Sequence, residues 1–174
     1  VICHMNPDED TLGSGLALYE AFKRLGKRSF IFCNDKNSRR LDKLYGYDEI
    51  NTADEKKYDL AIAVDCGDDG SMGIKAQEFY AAKVTANIDH HKANNNFADI
   101  NYVYPGSAAT GEAVFRLLKE LEADTKVKLL DEITGTLLYA AIITDSGSFG
   151  FSSVTADTFR TAAELIELGL GRRH

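Results

Sequence analysis

Leu60 to Val64 (LAIAV) is a continuous apolar run that stops abruptly at a carboxylate, Asp65. A strand that is apolar on both sides must be covered on both faces, which marks the interior of a parallel sheet. The run Val84 to Ile88 stops in the same way at Asp89, and Arg28 to Cys33 also reads as a strand. Val1 to Cys3 is a short apolar start. Helix spacing follows it, with Leu18, Ala21, Phe22 and Leu25 on one face and Gly26 as the stop. A further helix is expected around Gly73 to Ala82, and one with the face Val114, Leu117, Leu118 and Leu121. A long buried helix is expected over Leu129 to Ile143. A last one should carry the face Phe159, Ala162, Ala163 and Ile166, capped by Thr155. The polar stretch Ala93 to Asn101 reads as a loop. Strands alternating with helices imply right-handed crossovers. The expected fold is therefore α/β, a mainly parallel sheet with helices on both faces and a helical C-terminal part.

At 174 residues the chain reads as one domain, large enough to bury a real core. A weak boundary falls near Lys126, between two helices, but nothing there demands a second domain. The longest apolar run, Leu137 to Ile143, contains Tyr139 and is far short of a membrane span, and no signal peptide is visible. A formal net charge of -7 argues against a broad electrostatic grip on duplex DNA. It leaves room for a small phosphorylated substrate, because bound cations would reverse the local field. Cys3, Cys33 and Cys66 are far apart and form no C-x-x-C pair, so they read as reduced core thiols of a cytoplasmic protein.

The chemistry gathers at element ends. His4, Asp8 and Asp10 follow the first strand, Asp65 ends LAIAV, and Asp89, His90 and His91 end the VTANI run. Asp145 follows the long helix in IITDSGSF. Sites in open parallel sheets form beyond the carboxyl ends of the strands. Each segment alone has an ordinary structural explanation: a helix-capping acid, a turn aspartate, a surface histidine pair. Asp145 at a helix C-terminus is electrostatically unfavourable, and that misfit favours a nearby cation. All four segments together are not easily explained by structure alone. Carboxylates and imidazoles without thiolates suit manganese, magnesium or iron better than a structural zinc site. There is no G-x-x-x-x-G-K-[ST] loop, GSGLA lacks the full dinucleotide fingerprint, and no G-x-S-x-G elbow surrounds Ser146 or Ser148.

Four motifs in order, HMNPDED, VDCGD, IDHHKANN and ITDSGSF, resemble those of the DHH phosphoesterase superfamily. Its members include RecJ-like exonucleases, nanoRNase/pAp-phosphatases, cyclic-dinucleotide phosphodiesterases and manganese-dependent inorganic pyrophosphatases. The segment from Asp145 to Gly169 resembles the nanoRNase/pAp-phosphatase branch. The resemblance implies two divalent ions, manganese or alternatively magnesium. His4 and Asp8 would hold one and Asp10 the other, Asp65 would bridge them, and His90 and Asp145 would complete the second site. Asp89 would orient His90, and His91 would face the substrate phosphate and assist the leaving oxygen. Hydroxide held between the ions would attack phosphorus in line.

The implied activity is hydrolysis of short single-stranded oligonucleotides or of 3′-phosphoadenosine 5′-phosphate, with no duplex DNA and no membrane as partner and a homodimer as one assembly. The alternatives are a cyclic or linear dinucleotide phosphodiesterase, an inorganic pyrophosphatase and a non-catalytic nucleotide-binding domain. Two departures stand out. Relatives commonly carry a basic residue where Gly150 stands. Residues 1–174 end at GLGRRH without the glycine-rich GGGH-like motif of the DHH-associated C-terminal domain, so they are read as the DHH catalytic domain with that second domain absent or cut away.

Overall fold

A computed structural model describes residues 1–34, 40–53 and 57–170. Four parallel strands lie side by side in chain order: β1 (Ile2–Cys3), β2 (Leu60–Val64), β3 (Val84–Asp89) and β4 (Ile100–Val103). Among the described residues five α-helices accompany them: α1 (Glu9–Arg24), α2 (Ala76–Tyr80), α3 (Thr110–Thr125), α4 (Glu132–Asp145) and α5 (Ala156–Glu167). Side chains alternate across a strand, and β2 uses both sides. Ile62 and Val64, with Ile88 of β3, join the large core that also takes Leu12, Leu16, Val114, Leu118, Leu137 and Leu138. Ala61 and Ala63 face the opposite way, into a smaller core with Phe32, Met72 and Phe79. The sheet is thus covered on both faces, as the LAIAV run requires.

The register positions the chemistry. Cys3 pairs with Val64, and Val64 with Ile88. The next residue in each strand, His4, Asp65 and Asp89, therefore emerges on one line at the carboxyl edge. Gly26, at φ +70°, closes α1, and Thr155 caps α5 through a reciprocal box with Thr158. The three cysteines are buried and form no disulfide, and no helix among the described residues is long and apolar enough to cross a membrane.

Several expectations need correction. Arg28 to Cys33 is not a full strand: Ile31 and Phe32 make only single bridges, to Ile50 and Ile2. The Asn51 side chain takes both backbone groups of Cys33, at 3.1 and 2.8 Å, and so ends the ladder. The helix around Gly73 splits into a 3-10 segment, Asp69–Lys75, and the short α2, because Gly73 turns the chain at φ +55°. The loop expected over Ala93–Asn101 ends early, since Ile100 and Asn101 open the edge strand β4. The long helix begins at Glu132, with Asp131 rather than Leu129 at its start, because Asp131 and Thr134 form a capping box. In α5 the buried stripe is Thr158, Thr161, Ala162 and Leu165; Phe159, Ala163 and Ile166 are exposed. A face read from apolar residues alone misses two threonines whose hydroxyls and methyls fit the interface.

Candidate metal centre

His4 leaves β1 with its Nδ1 donating to the Met5 carbonyl at 2.7 Å. A carbonyl can only accept, so a proton sits on Nδ1 and Nε2 is the ring nitrogen turned toward the acids. That Nε2 lies 3.4 Å from Asp65 Oδ2 and 3.7 Å from Asp8 Oδ1. His90 repeats the arrangement: Nδ1 donates to the Ser107 carbonyl at 3.2 Å. Its Nε2 faces Asp145 Oδ2 at 3.3 Å, Asp65 Oδ1 at 3.7 Å and Asp10 Oδ2 at 3.9 Å. Fixing one ring nitrogen to aim the other is the usual preparation of a ligating imidazole.

The acids are held just as firmly. Asp8 is the N-cap of α1, accepting from Thr11 N at 3.0 Å. Asp10, in the first turn of α1, is 1% exposed and reaches across to α3. It accepts from the backbone of Thr110 at 2.7 Å and of Gly111 at 2.9 Å. Helix α3 has no side-chain cap of its own at Ala109, and Asp10 satisfies its first amides from another element. Asp65 adopts φ +60°, and its Oδ1 accepts from Thr110 Oγ1 at 2.8 Å. Asp145 is the last residue of α4 and is only half-buried.

Asp89 is fully buried, and its partner differs from the one implied by the resemblance. Its Oδ1 meets His91 Nδ1 at 2.7 Å, not His90. Neighbouring residues leaving an extended strand point to opposite sides, so positions 89 and 91 share a side and 90 faces away. Asn94 Nδ2 donates to the other oxygen of Asp89 at 2.6 Å, and to Asn87 Oδ1 at 2.7 Å.

Three overlapping groups have ligand atoms mutually within 4.8 Å: His4–Asp8–Asp65, Asp10–His90–Asp145 and Asp65–His90–His91. Asp65 belongs to two of them, between the other two acids' sets. No Lys or Arg among the described residues pairs with these carboxylates. The electrostatic cost falls on the buried acids. Burial, then the Asp65 charge, pushes Asp10 well above the ordinary carboxylate range. Burial likewise raises Asp145, with Asp65 and Asp8 adding repulsion against the attraction of His90. Burial opposes a charge on His4, but its bonds to Asp65 and Asp8 outweigh that and lift it to about 10. His91 rises to about 9, chiefly through its bond to Asp89. Carboxylates crowded together without a cation, alongside aimed imidazoles and no thiolate, fit hard or borderline divalent ions.

The ligand atoms open into a cleft of about 490 Å³, bordered also by Met5, Asn6, Gly67, Asp68 and Ser71. A groove of about 570 Å³ at the amino ends of β1 and β2 is larger, but it is mostly apolar and gathers no ligand set. Beside Asp145 the chain makes an unusual turn: Gly147, Ser148 and Phe149 all have positive φ, at +57°, +55° and +65°. Left-handed backbone costs non-glycine residues roughly 1–2 kcal/mol each. Ser146 holds the turn, its Oγ accepting from Phe149 N at 3.0 Å and its carbonyl from Gly150 and Phe151. A Cβ on Gly147 would lie 2.6 Å from the Phe151 ring. Gly147→Ala should therefore cost more than about 1 kcal/mol, by strain and by displacing that ring; chemical denaturation checks it.

Residues 1–142 match the DHH family, N-terminal domain. The chain belongs to the DHH family. It is 31% identical over 98% of its length to the bifunctional oligoribonuclease and PAP phosphatase NrnA of Thermus thermophilus, and covers 50% of that protein. It is 28% identical over 94% of its length to the NrnA of Bacillus subtilis, covering 51% of it. It thus spans about half the length of the curated relatives it matches. An exopolyphosphatase-related protein from Bacteroides fragilis superposes with a TM-score of 0.81 at 22% identity, over 96% of this chain and 51% of that one, a likeness of fold.

All eight sequence-derived positions of this DHH chain meet at one edge: His4, Asp8, Asp10, Asp65, Asp89, His90, His91 and Asp145. Sequence reasoning misses their supports, Ser107, Thr110, Gly111 and Asn94. A helix start at SAATGE is visible ahead of the Val114 face, but the acid it serves is 100 residues away. Thr110→Val should strand a buried oxygen of Asp65 and cost about 1–3 kcal/mol by denaturant unfolding of the metal-free protein.

Proposed function

We propose that this DHH chain is the metal-holding half of a phosphoesterase that hydrolyses short oligonucleotides, 3′-phosphoadenosine 5′-phosphate, or both. The observation that carries the reading is the sharing of Asp65: one buried carboxylate stands between the sets His4–Asp8 and Asp10–His90–Asp145. Two divalent ions held there, manganese by preference, would supply charge neutralisation and a nucleophile at neutral pH. His4, Asp8 and Asp65 would hold one ion, and Asp10, Asp65, His90 and Asp145 the other. Asp89 holds His91 by Nδ1, leaving Nε2 free at the cleft. The bond to Asp89 favours the protonated form of His91, which can pass a proton to the leaving oxygen as the ester bond breaks. A small cleft favours a small substrate, and the net charge of -7 gives no counterion-release gain on a long duplex.

The test is turnover with manganese on a diribonucleotide, 3′-phosphoadenosine 5′-phosphate, pyrophosphate and duplex DNA, with metal content measured in parallel. Two ions per chain and cleavage of either of the first two substrates is the expected result. No bound ion at saturating manganese, or cleavage of pyrophosphate alone, would overturn it.

A further inference from the structure

Phe151 is the large side chain that the turn after Asp145 brings to the surface. Its ring lies against the backbone of Gly147, two residues beyond Asp145. The ring is 60% exposed, so the apolar face pressed on Gly147 is matched by one open to solvent. The backbone on either side of it is hydrogen-bonded. Ser146 O accepts from Phe151 N at 3.1 Å, Val154 N closes on Phe151 O at 3.1 Å, and Phe149 is anchored by stacking on Phe159 at 5.3 Å. Three successive left-handed residues are an expensive way to end a helix, and Gly147 is needed both for its φ and to leave space for the ring. Strain of this kind persists where the local geometry serves a site. What this geometry delivers is an aromatic ring packed on Gly147, two residues beyond the proposed ligand Asp145, and open to solvent on its other side.

We propose that Phe151 is a stacking platform for a nucleotide base whose phosphate lies at the ion cluster. The inference rests on the phosphoesterase reading and adds to it the residue that recognises the base. A nucleotide places its base one sugar away from the reacting phosphate, and any base has a π-face. An aromatic platform therefore selects nucleotides over simple phosphate esters without selecting a sequence.

The experiment compares wild type with Phe151→Ala, Phe151→Leu and Phe151→Trp in the full chain loaded with manganese. The substrates are a diribonucleotide and its counterpart lacking both bases. Wild type should prefer the natural dinucleotide. Phe151→Ala and Phe151→Leu should each lose about tenfold in kcat/KM on it, mainly through KM, as expected for one stacked base. Neither should change on the abasic ester, and Phe151→Trp should keep the preference. Leucine keeps apolar contact with Gly147, so a merely structural ring would tolerate it. A diribonucleotide carrying 2-aminopurine should be quenched on binding to wild type and Phe151→Trp, and not to the other two. Equal loss on both esters, an unchanged KM, or a change of oligomeric state instead of a base effect would overturn the assignment. Failure of wild type to cleave either ester would sink the phosphoesterase reading itself, while quenching in wild type alone would still support the platform.

Discussion

Asp65→Ala should empty both ion positions at once. The two proposed sets share this carboxylate, and its oxygens lie 3.4 Å from His4 Nε2 and 3.7 Å from His90 Nε2. Loss of a residue behind a ligand typically costs 10–100-fold in affinity or activity. Loss of the shared ligand should exceed about 100-fold in turnover and leave less than one tightly bound ion per chain. Asp8→Ala and Asp145→Ala each touch one set, so each should lower the affinity of one ion and spare the other. Calorimetric titration with manganese separates these cases. If Asp65→Ala still binds two ions, the shared carboxylate is not the hinge of the site.

His91→Ala should behave in the opposite way, keeping its ions while turnover falls about 10²–10⁴-fold, the usual contribution of a positioned acid. The pH profile gives the sharper test. His91 is lifted to about 9, first by its bond to Asp89. The bond to Asp89 favours the protonated form, which is lost as pH rises through the folded-state value. The alkaline limb of kcat should follow it. Asp89→Asn removes the charge that holds the proton, so the limb should move down toward the ordinary histidine range. If His91→Ala strips an ion as completely as His90→Ala does, the two imidazoles have exchanged roles.

Much of this site is legible in the order of residues alone. LAIAV and VTANI each end in an acid, and that pattern depends only on the burial of a central parallel strand and its exit at the carboxyl edge. The pairings inside the site are less legible. Whether Asp89 serves His90 or His91 is decided by which side each residue faces as the strand ends, and adjacent histidines leave that open. Ser107 acts through its backbone and Thr110 through a contact across the fold, which no local pattern records, whereas Asn94 lies within IDHHKANN, five residues after the Asp89 it supports. The edge strand β4 and the Phe32 bridge are obscured for a related reason. Short outer strands gain little from alternation, and an amide side chain such as Asn51 can replace a neighbour strand altogether.

The contact between Asp10 and the first amides of α3 bears on ion selectivity. A carboxylate with each oxygen already engaged by a backbone N–H cannot swing freely between one-point and two-point coordination. The seat it would offer an ion under the proposed reading has nearly fixed dimensions, set by how closely α1 and α3 pack. Calcium relies on ligands that spread to six or eight oxygens at longer distance, whereas smaller ions accept a compact arrangement. If the proposed ions bind there, the stiffness of a helix pair would act as a gauge of ionic radius, and loosening the α1–α3 interface should admit calcium before it abolishes binding of manganese.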